Sequence, residues 1–180
     1  MSLKHGLLGF LSEQDRSGYD LEKMFCSSIG FFWNAKISQV YRDLHSMEKA
    51  GWVQSSEVIQ FERPNKKVYK ITYSGRAELE NWLVNYNTGK DLVVRIGILM
   101  RMFFAAKRPK EETVSLLENY RVACLKARDV LGNKNKEIDS YDCDANSLEM
   151  IYTKSTLSYG ERYYQMQIDW CTETISKLQS

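Results

Sequence analysis

NAKISQVYRDLHSMEKAGWV, residues 34–53, followed by QSSEVIQFERPNKKVYKIT, residues 54–72, is the stretch whose reading decides the fold. Asn34 is a good helix N-cap, and Ile37, Val40, Tyr41, Leu44 and Met47 recur at the spacing of one buried helical stripe. Gly51 then ends the helix. The other face carries Lys36, Ser38, Gln39, Arg42, Asp43, His45 and Ser46, polar and basic side chains able to hydrogen-bond to base edges or phosphates. A β-ribbon follows, Trp52 to Phe61 outward and Lys67 to Thr72 back. Pro64 and Asn65 occupy its turn, with Arg63, Lys66 and Lys67 beside them, so the tip of the hairpin is positive.

A polar-faced helix followed by a basic-tipped hairpin reads as a winged helix-turn-helix, and the sequence before it fits. Leu3, Leu7, Leu8, Phe10 and Leu11 define a first amphipathic helix that stops in the polar segment SEQDRSG, where Gly18 provides a break. Ser17 with Asp20 resembles a capping box in which Asp replaces Glu, and Leu21, Met24, Phe25 and Ile29 give a second helix its apolar stripe up to Gly30. Phe31, Phe32 and Trp33 are expected to close the small core between two angled helices. After the hairpin, Thr72 or Ser74 caps a helix whose face carries Leu79, Trp82, Leu83 and Tyr86. Asn87 to Lys90, NTGK, marks the domain boundary, giving units 1–87 and 88–180.

The second half lacks strand-like alternation and reads as three helices. The apolar run Asp91–Ala106 is interrupted by Arg95 and Arg101 and is too short for a bilayer span, so it is expected to be a buried helix. A second helix runs from about Pro109 to Leu131 and stops before Gly132, with Glu111 and Glu112 at its positive end. A third runs from about Asp144 to Leu178, its face formed by Leu148, Tyr152, Tyr159, Tyr163, Met166 and Trp170 at close to coiled-coil spacing. One small domain cannot easily cover so long a stripe, which implies packing against a second subunit.

The 25 Lys and Arg are nearly cancelled by 23 Asp and Glu, so net charge alone does not announce a nucleic-acid partner. Local clustering does, because Arg63, Lys66, Lys67, Lys70 and Arg76 follow one another with no acidic residue between them. The four cysteines, Cys26, Cys124, Cys143 and Cys171, form no C-x-x-C pair and are no disulfide framework. Cys26 is expected to be a small core residue. No charged-then-apolar leader is evident, which points to a reduced, cytoplasmic protein. A Gly-rich phosphate loop, H-E-x-x-H and G-x-S-x-G are all missing, and His5 and His45 do not pair as metal ligands, so no enzyme, metal or cofactor is expected.

LLGFLSEQDRSGYDLEKMF, then GFFWNAKISQVYRDLHSMEKAGWV, then ERPNKKVYKITYSGRAELENWL together resemble the PadR-like transcriptional regulators, in that family's order and spacing. The resemblance rests on Gly18-Tyr19, the aromatics and Asn before the third helix, Ser38-Gln39-Val40-Tyr41 and Arg63-Pro64-Asn65-Lys66, and covers about the first half of the chain. The stretch Tyr159-Gly160-Glu161-Arg162-Tyr163-Tyr164 looks like part of the longer helical C-terminal domain of one branch. Arg42 stands where many members have Pro or another residue. The resemblance implies a homodimer on an inverted-repeat operator, and repression relieved by a phenolic acid or hydrophobic drug.

The fold expected is therefore mostly α with one β-hairpin, an N-terminal winged helix-turn-helix plus a C-terminal all-helical dimerisation domain. Double-stranded DNA is the expected partner, met in the major groove by Lys36, Ser38, Gln39, Tyr41 and Arg42 and along the phosphates or minor groove by Arg63, Asn65, Lys66 and Lys67. Burial is the default for Tyr41, although its hydroxyl could reach a phosphate. Tyr152, Tyr159, Tyr163, Met166 and Trp170 are assigned to a dimer interface, or to a small-molecule effector site that aromatic stacking would serve. The competing account is a protein-interaction module that has kept the scaffold without specific DNA binding.

Overall fold

The computed structural model describes residues 3–30, 32–33, 35–59, 66–85, 96–140, 144 and 146–180. The chain divides into two compact units, Met1–Val94 and Arg95–Ser180. Residues 86–90, where the boundary was expected, lie outside those described.

In the first unit α1 (Leu3–Glu13), α2 (Gly18–Ser28), α3 (Ile37–Lys49) and α4 (Tyr73–Val84) surround a three-stranded antiparallel sheet. Its strands are β1 (Arg16–Ser17), β2 (Val53–Val58) and β3 (Lys66–Ile71), in the order β1-β3-β2. The β2–β3 ribbon runs in register from Val53 opposite Ile71 to Val58 opposite Lys66. β1, which no alternation in the sequence announced, pairs Arg16 with Tyr69 and Ser17 with Val68. Leu7, Leu8, Leu11, Leu21, Phe25, Val40, Leu44, Met47, Val53, Tyr69 and Ile71 form one buried cluster. Each such side chain contributes roughly 1.5–3 kcal/mol when fully removed from water.

Several local expectations are corrected. Gly18 does not break the chain but is the first residue of α2, where the Tyr41 ring lies so near that an added Cβ would sit 2.5 Å from Cε1. Ser17 caps α2 by accepting from the Asp20 amide, as expected, but the Asp20 carboxylate receives the Ser17 hydroxyl at 2.7 Å instead of reaching the cap's own N–H. α3 starts at Ile37 with Lys36 as N-cap, and Asn34 lies outside the described residues. Only Val40, Leu44 and Met47 of the expected stripe are buried, because the core contacts a narrower arc of α3 than apolarity suggested; Ile37 and Tyr41 stay 44% and 45% exposed. Gly51 does end the helix, with a φ of +74° that side chains other than glycine's rarely accept. Of the aromatic trio, Trp33 packs on the core, Phe32 is exposed and Phe31 is not described. Cys26 is exposed on the outer side of α2 and is no core residue.

α4 is fastened at its start and along its length. Thr72 Oγ1 accepts the Gly75 amide and lies 2.7 and 3.0 Å from the carbonyl oxygens of Gly51 and Trp52, while Ser74 Oγ donates to Gly51 at 2.7 Å. His5 of α1 stacks on Trp82 with centroids 4.8 Å apart and places Nε2 3.1 Å from Glu78. Leu83 is exposed, and Tyr86 is not described.

The second unit contains α5 (Gly97–Phe103), a single 3-10 turn (Ala105–Lys107), α6 (Lys110–Asp139) and α7 (Leu148–Gln179). Pro109 is the N-cap of α6 and not within its first turn, and Gly132 does not stop the helix, which continues to Asp139. A glycine inside a helix costs only about 1 kcal/mol against alanine, less than tertiary packing along α7 returns. α7 is capped by Ser147, which accepts the Met150 amide. The expectation of a buried helix near residues 91–106 fails for its described part. Ile98 is buried and Met102 packs on the hairpin, while Leu99, Met100, Phe103 and Phe104 are exposed. Residues 91–95 lie outside the description.

α6 and α7 form an antiparallel hairpin with a seam of Thr113, Leu117, Cys124 and Leu131 against Leu157, Gly160, Gln167, Ile168, Cys171 and Ile175. Steps of four and seven along α6 are those of a coiled coil. Tyr120 donates its hydroxyl to the buried Gln167 Oε1, and Gln167 Nε2 donates to the Tyr163 carbonyl at 3.3 Å. Burial raises the Tyr120 phenol to about 12 and pushes up the thiols of Cys124 and Cys171 and the phenol of Tyr164. Among the described residues no helix is long and apolar enough to cross a membrane, and no cluster of His, Cys, Asp and Glu is placed to hold a metal.

Candidate nucleic-acid interface

α3 is built as a two-sided rod. Val40, Leu44 and Met47 turn inward, so Ser38, Arg42, His45 and Lys49, at steps of four, three and four, line the outside and are all exposed. Lys36 and Gln39 flank this line on one side and Tyr41 on the other, and both flanks are exposed as well. Arg42 and Lys49 form no ion pair among the described residues. Lys49 belongs to the same line and was overlooked at the sequence level, although its spacing from Arg42 and His45 was visible. Ser46 is turned aside, accepting from Lys4 of α1 at 2.7 Å.

Gln39 has a second role in this geometry. Its Oε1 accepts the Lys36 amide at 3.0 Å, satisfying one of the donors left without a partner at the start of a helix. Its Nε2 remains a donor. The Tyr41 ring lies against Gly18 at the start of α2 and is about half exposed, contrary to the burial expected by default.

On the wing, Arg63 and Asn65 lie outside the described residues, and Lys66 and Lys67 sit at the turn end of β3. Neither lysine is an isolated cation. Lys66 Nζ is 2.7 Å from Asp20 Oδ2, and Lys67 Nζ is 3.0 Å from Glu48 Oε2 and 5.3 Å from the Tyr69 ring centroid. Glu48 also receives the Ser55 hydroxyl. The hydrogen bond from Lys66, with Ser17's, holds the Asp20 carboxyl below its ordinary range, and those from Ser55 and Lys67 do the same for Glu48. Lys70, four positions beyond Lys66 on the same strand, is exposed without an ion-pair partner among the described residues.

In the second unit, Tyr152, Tyr159 and Met166 are exposed, Tyr159 at 68% and Met166 at 54%, while Tyr163 is 36% exposed at the edge of the α6 side. The Tyr159 and Tyr163 rings stack with centroids 6.4 Å apart. Trp170 departs from this stripe and packs against the buried Leu117–Cys171–Ile175 cluster. Tyr163 also lines a cavity of about 420 Å³ with Ile96, Ile98, Arg101, Leu116 and Tyr120. The lining combines the apolar Ile96, Ile98 and Leu116 with two phenols and one guanidinium, and it is open to solvent.

Known proteins resemble this chain in both halves. Residues 7–81 match the model of the transcriptional regulator PadR-like family, and residues 94–179 match that of the virulence activator alpha C-terminal domain. A protein of Mycobacterium tuberculosis named as a probable transcriptional regulator is 32% identical over 99% of this chain and 98% of its own. The negative transcriptional regulator PadR of Bacillus subtilis is 31% identical over 65% of this chain and 64% of its own. The crystal structure of Bacillus subtilis PadR in complex with operator DNA superposes with a TM-score of 0.82 at 23% identity, covering 98% of both chains. Its complex with p-coumaric acid superposes with a TM-score of 0.74 at 21% identity, covering 99% of this chain and 96% of that one. With a winged helix-turn-helix, a helical C-terminal unit and a full-length relative of this kind, the chain belongs to the PadR-like family of transcriptional regulators, and it is not an enzyme.

Proposed function

We propose that this regulator is a homodimeric repressor that binds a pseudo-palindromic operator, with residues 1–87 as the DNA-binding domain and 88–180 as the dimerisation domain. The exposed line Ser38–Arg42–His45–Lys49 on α3, whose Arg42 and Lys49 have no carboxylate partner among the described residues, carries the reading. Lys36, Ser38, Gln39, Tyr41 and Arg42 enter the major groove, where the Gln39 amide suits adenine and the Arg42 fork suits guanine or a phosphate. Arg63, Asn65, Lys66 and Lys67 follow the adjoining backbone. Two copies whose recognition helices lie about 34 Å apart meet successive major grooves on one side of a duplex.

Dimerisation is supported by the exposed aromatic residues of α7 and the exposed apolar residues of α5. Repression is supported by the naming of the Bacillus subtilis relative as a negative regulator. Release by a small hydrophobic or phenolic effector is supported by the cavity beside Arg101, Tyr120 and Tyr163, and by that relative's complex with p-coumaric acid. Selection of bound duplexes from a random library, then gel shifts with and without p-coumarate, tests the whole reading. An inverted repeat shifted as a dimer and released by ligand is expected. A protein that binds no duplex even at low salt is a protein-interaction module on the same scaffold, and the proposal is then wrong.

A further inference from the structure

The turn end of the wing's β3 is gripped from two sides. Lys66 and Lys67 are successive residues of β3, so their side chains leave opposite faces of the strand. One is held by Asp20 at the start of α2 and the other by Glu48 near the end of α3. The carboxylates are the fixed partners, because Ser17 Oγ donates to Asp20 at 2.7 Å and Ser55 Oγ donates to Glu48. The lysines are the movable ones, on four-carbon stems, with side chains 39% and 46% exposed.

We propose that Asp20 and Glu48 are specificity-determining residues that hold Lys66 and Lys67 away from the phosphates of an arbitrary duplex and release them where α3 is fully seated on its base edges. This rests on the DNA-binding reading above. A phosphate approaching either lysine meets a neutral pair, in contrast to Arg42, Lys49 and Lys70. An exposed ion pair is weak and exchanges readily, so a phosphate held in the right place by neighbouring contacts displaces the carboxylate, while one in a loose, sliding complex does not. The phosphate contribution from the wing is thereby reserved for the specific complex. Both carboxyls are held below their ordinary range, so the device works throughout the physiological pH range and is not a proton switch.

The test uses the full chain, a random-sequence duplex, and the tightest duplex recovered by library selection, with affinities followed by fluorescence anisotropy across about 50–200 mM salt. Asp20→Asn and Glu48→Gln should each tighten the random duplex more than the selected one. Each should also steepen the salt slope on the random duplex by about 0.9 per freed lysine, a further loss of roughly 3-fold across that range. Glu22→Gln removes the same charge from α2 without freeing a lysine and should leave the slope alone. In a Lys66→Met background Asp20→Asn should have no further effect, which a general change of charge would not produce. The proposal is overturned if both variants keep the wild-type slope, or if Asp20→Asn acts equally with and without Lys66. If the wild type binds neither duplex, the DNA reading falls first and this inference with it. Should Asp20→Asn melt early, Glu48→Gln, on another helix, decides alone.

Discussion

Two glycine-to-alanine substitutions, both inside helices of the first unit, should move its stability in opposite directions. Gly75 is the third residue of α4, and a Cβ there would stand 2.1 Å from the Trp52 carbonyl oxygen, 3.0 Å from its carbon and 2.9 Å from Ile71 Cγ1. Restoring ordinary van der Waals separation requires a displacement of about 1 Å. The obstacle is backbone. It is pinned because Trp52 N–H donates to Met47 at 2.9 Å, while Trp52 O receives the Thr72 amide at 3.0 Å and lies within reach of the Thr72 hydroxyl. Moving it weakens one or two hydrogen bonds at about 1 kcal/mol each and adds about 1–3 kcal/mol of overpacking. Alanine returns only about 0.5–1 kcal/mol through its helix preference. The net loss is therefore about 1–4 kcal/mol, at about 4–8 °C of melting temperature per kcal/mol in a unit of this size. Gly9 in α1 has nothing within 4 Å of its added Cβ, so Gly9→Ala should gain about 0.5–1 kcal/mol. Urea unfolding followed by tryptophan fluorescence reads both, and a Trp170→Phe background confines the signal to Trp33, Trp52 and Trp82 of the first unit. Midpoints for Gly75→Ala and Gly9→Ala that coincide would refute the close approach of α4 to the start of β2.

Gln39→Ala should lose twice: about 0.5–1 kcal/mol of stability from the cap on Lys36, and about 1–3 kcal/mol of discrimination at one or two base pairs. Gln39→Glu keeps the cap, and an equal loss across a panel of operator variants would show that Gln39 reads no base. Tyr120→Phe leaves the buried Gln167 Oε1 without its donor at a cost of about 1–3 kcal/mol, most of which Tyr120→Phe with Gln167→Leu should restore in thermal melts. Because the Tyr120 phenol is raised from 10.0 to about 12, the fold binds that proton more tightly than the unfolded chain does. Its contribution is complete below pH 10 and is lost as pH rises toward 12, and the phenylalanine variant should show a shallower loss. Met166→Glu should yield a monomer in sedimentation that retains its helical circular dichroism, whereas unfolding of the helix would place Met166 in the subunit's own core.

The parts of the fold legible from the sequence were those with a strong local signal. Leucines at 3, 7, 8 and 11, the Ser17 and Thr72 caps and the Gly51 stop each depend on chemistry within a few residues, and each is present in the structure. Misreadings arose where tertiary context decides. Ile37 and Tyr41 had the right spacing, but an apolar residue is buried only if something covers it, and Gly18 leaves Tyr41 a place at the edge instead. β1 is two residues long and carries no alternation to detect. At the candidate interface the polar line of α3 was legible from its spacing. The pairing of Lys66 with Asp20, 46 positions earlier, and of Lys67 with Glu48, 19 earlier, was not, since it depends on how strand and helices meet.

The second unit shows why reading one face of a long helix can mislead. α7 carries two seams about one residue apart around its circumference. The aromatic one, Tyr152–Tyr159–Tyr163–Met166, dominates any apolarity count, yet its members are exposed, with Tyr163 alone turned toward Tyr120 and Leu116 of α6. The inner one runs through Leu157, Gly160, Gln167, Ile168 and Cys171, which look unremarkable because a glycine, a glutamine and a cysteine dilute them. Gly160 and Cys171 are small residues buried in that seam, and Gln167 fixes the register by accepting from Tyr120, since a one-turn slip would bury both groups unpaired. With register set by a polar link inside, the outer aromatics are not needed to hold the hairpin together. Their conspicuous apolarity is therefore better explained by something outside the hairpin, and under the proposed function that is the second subunit.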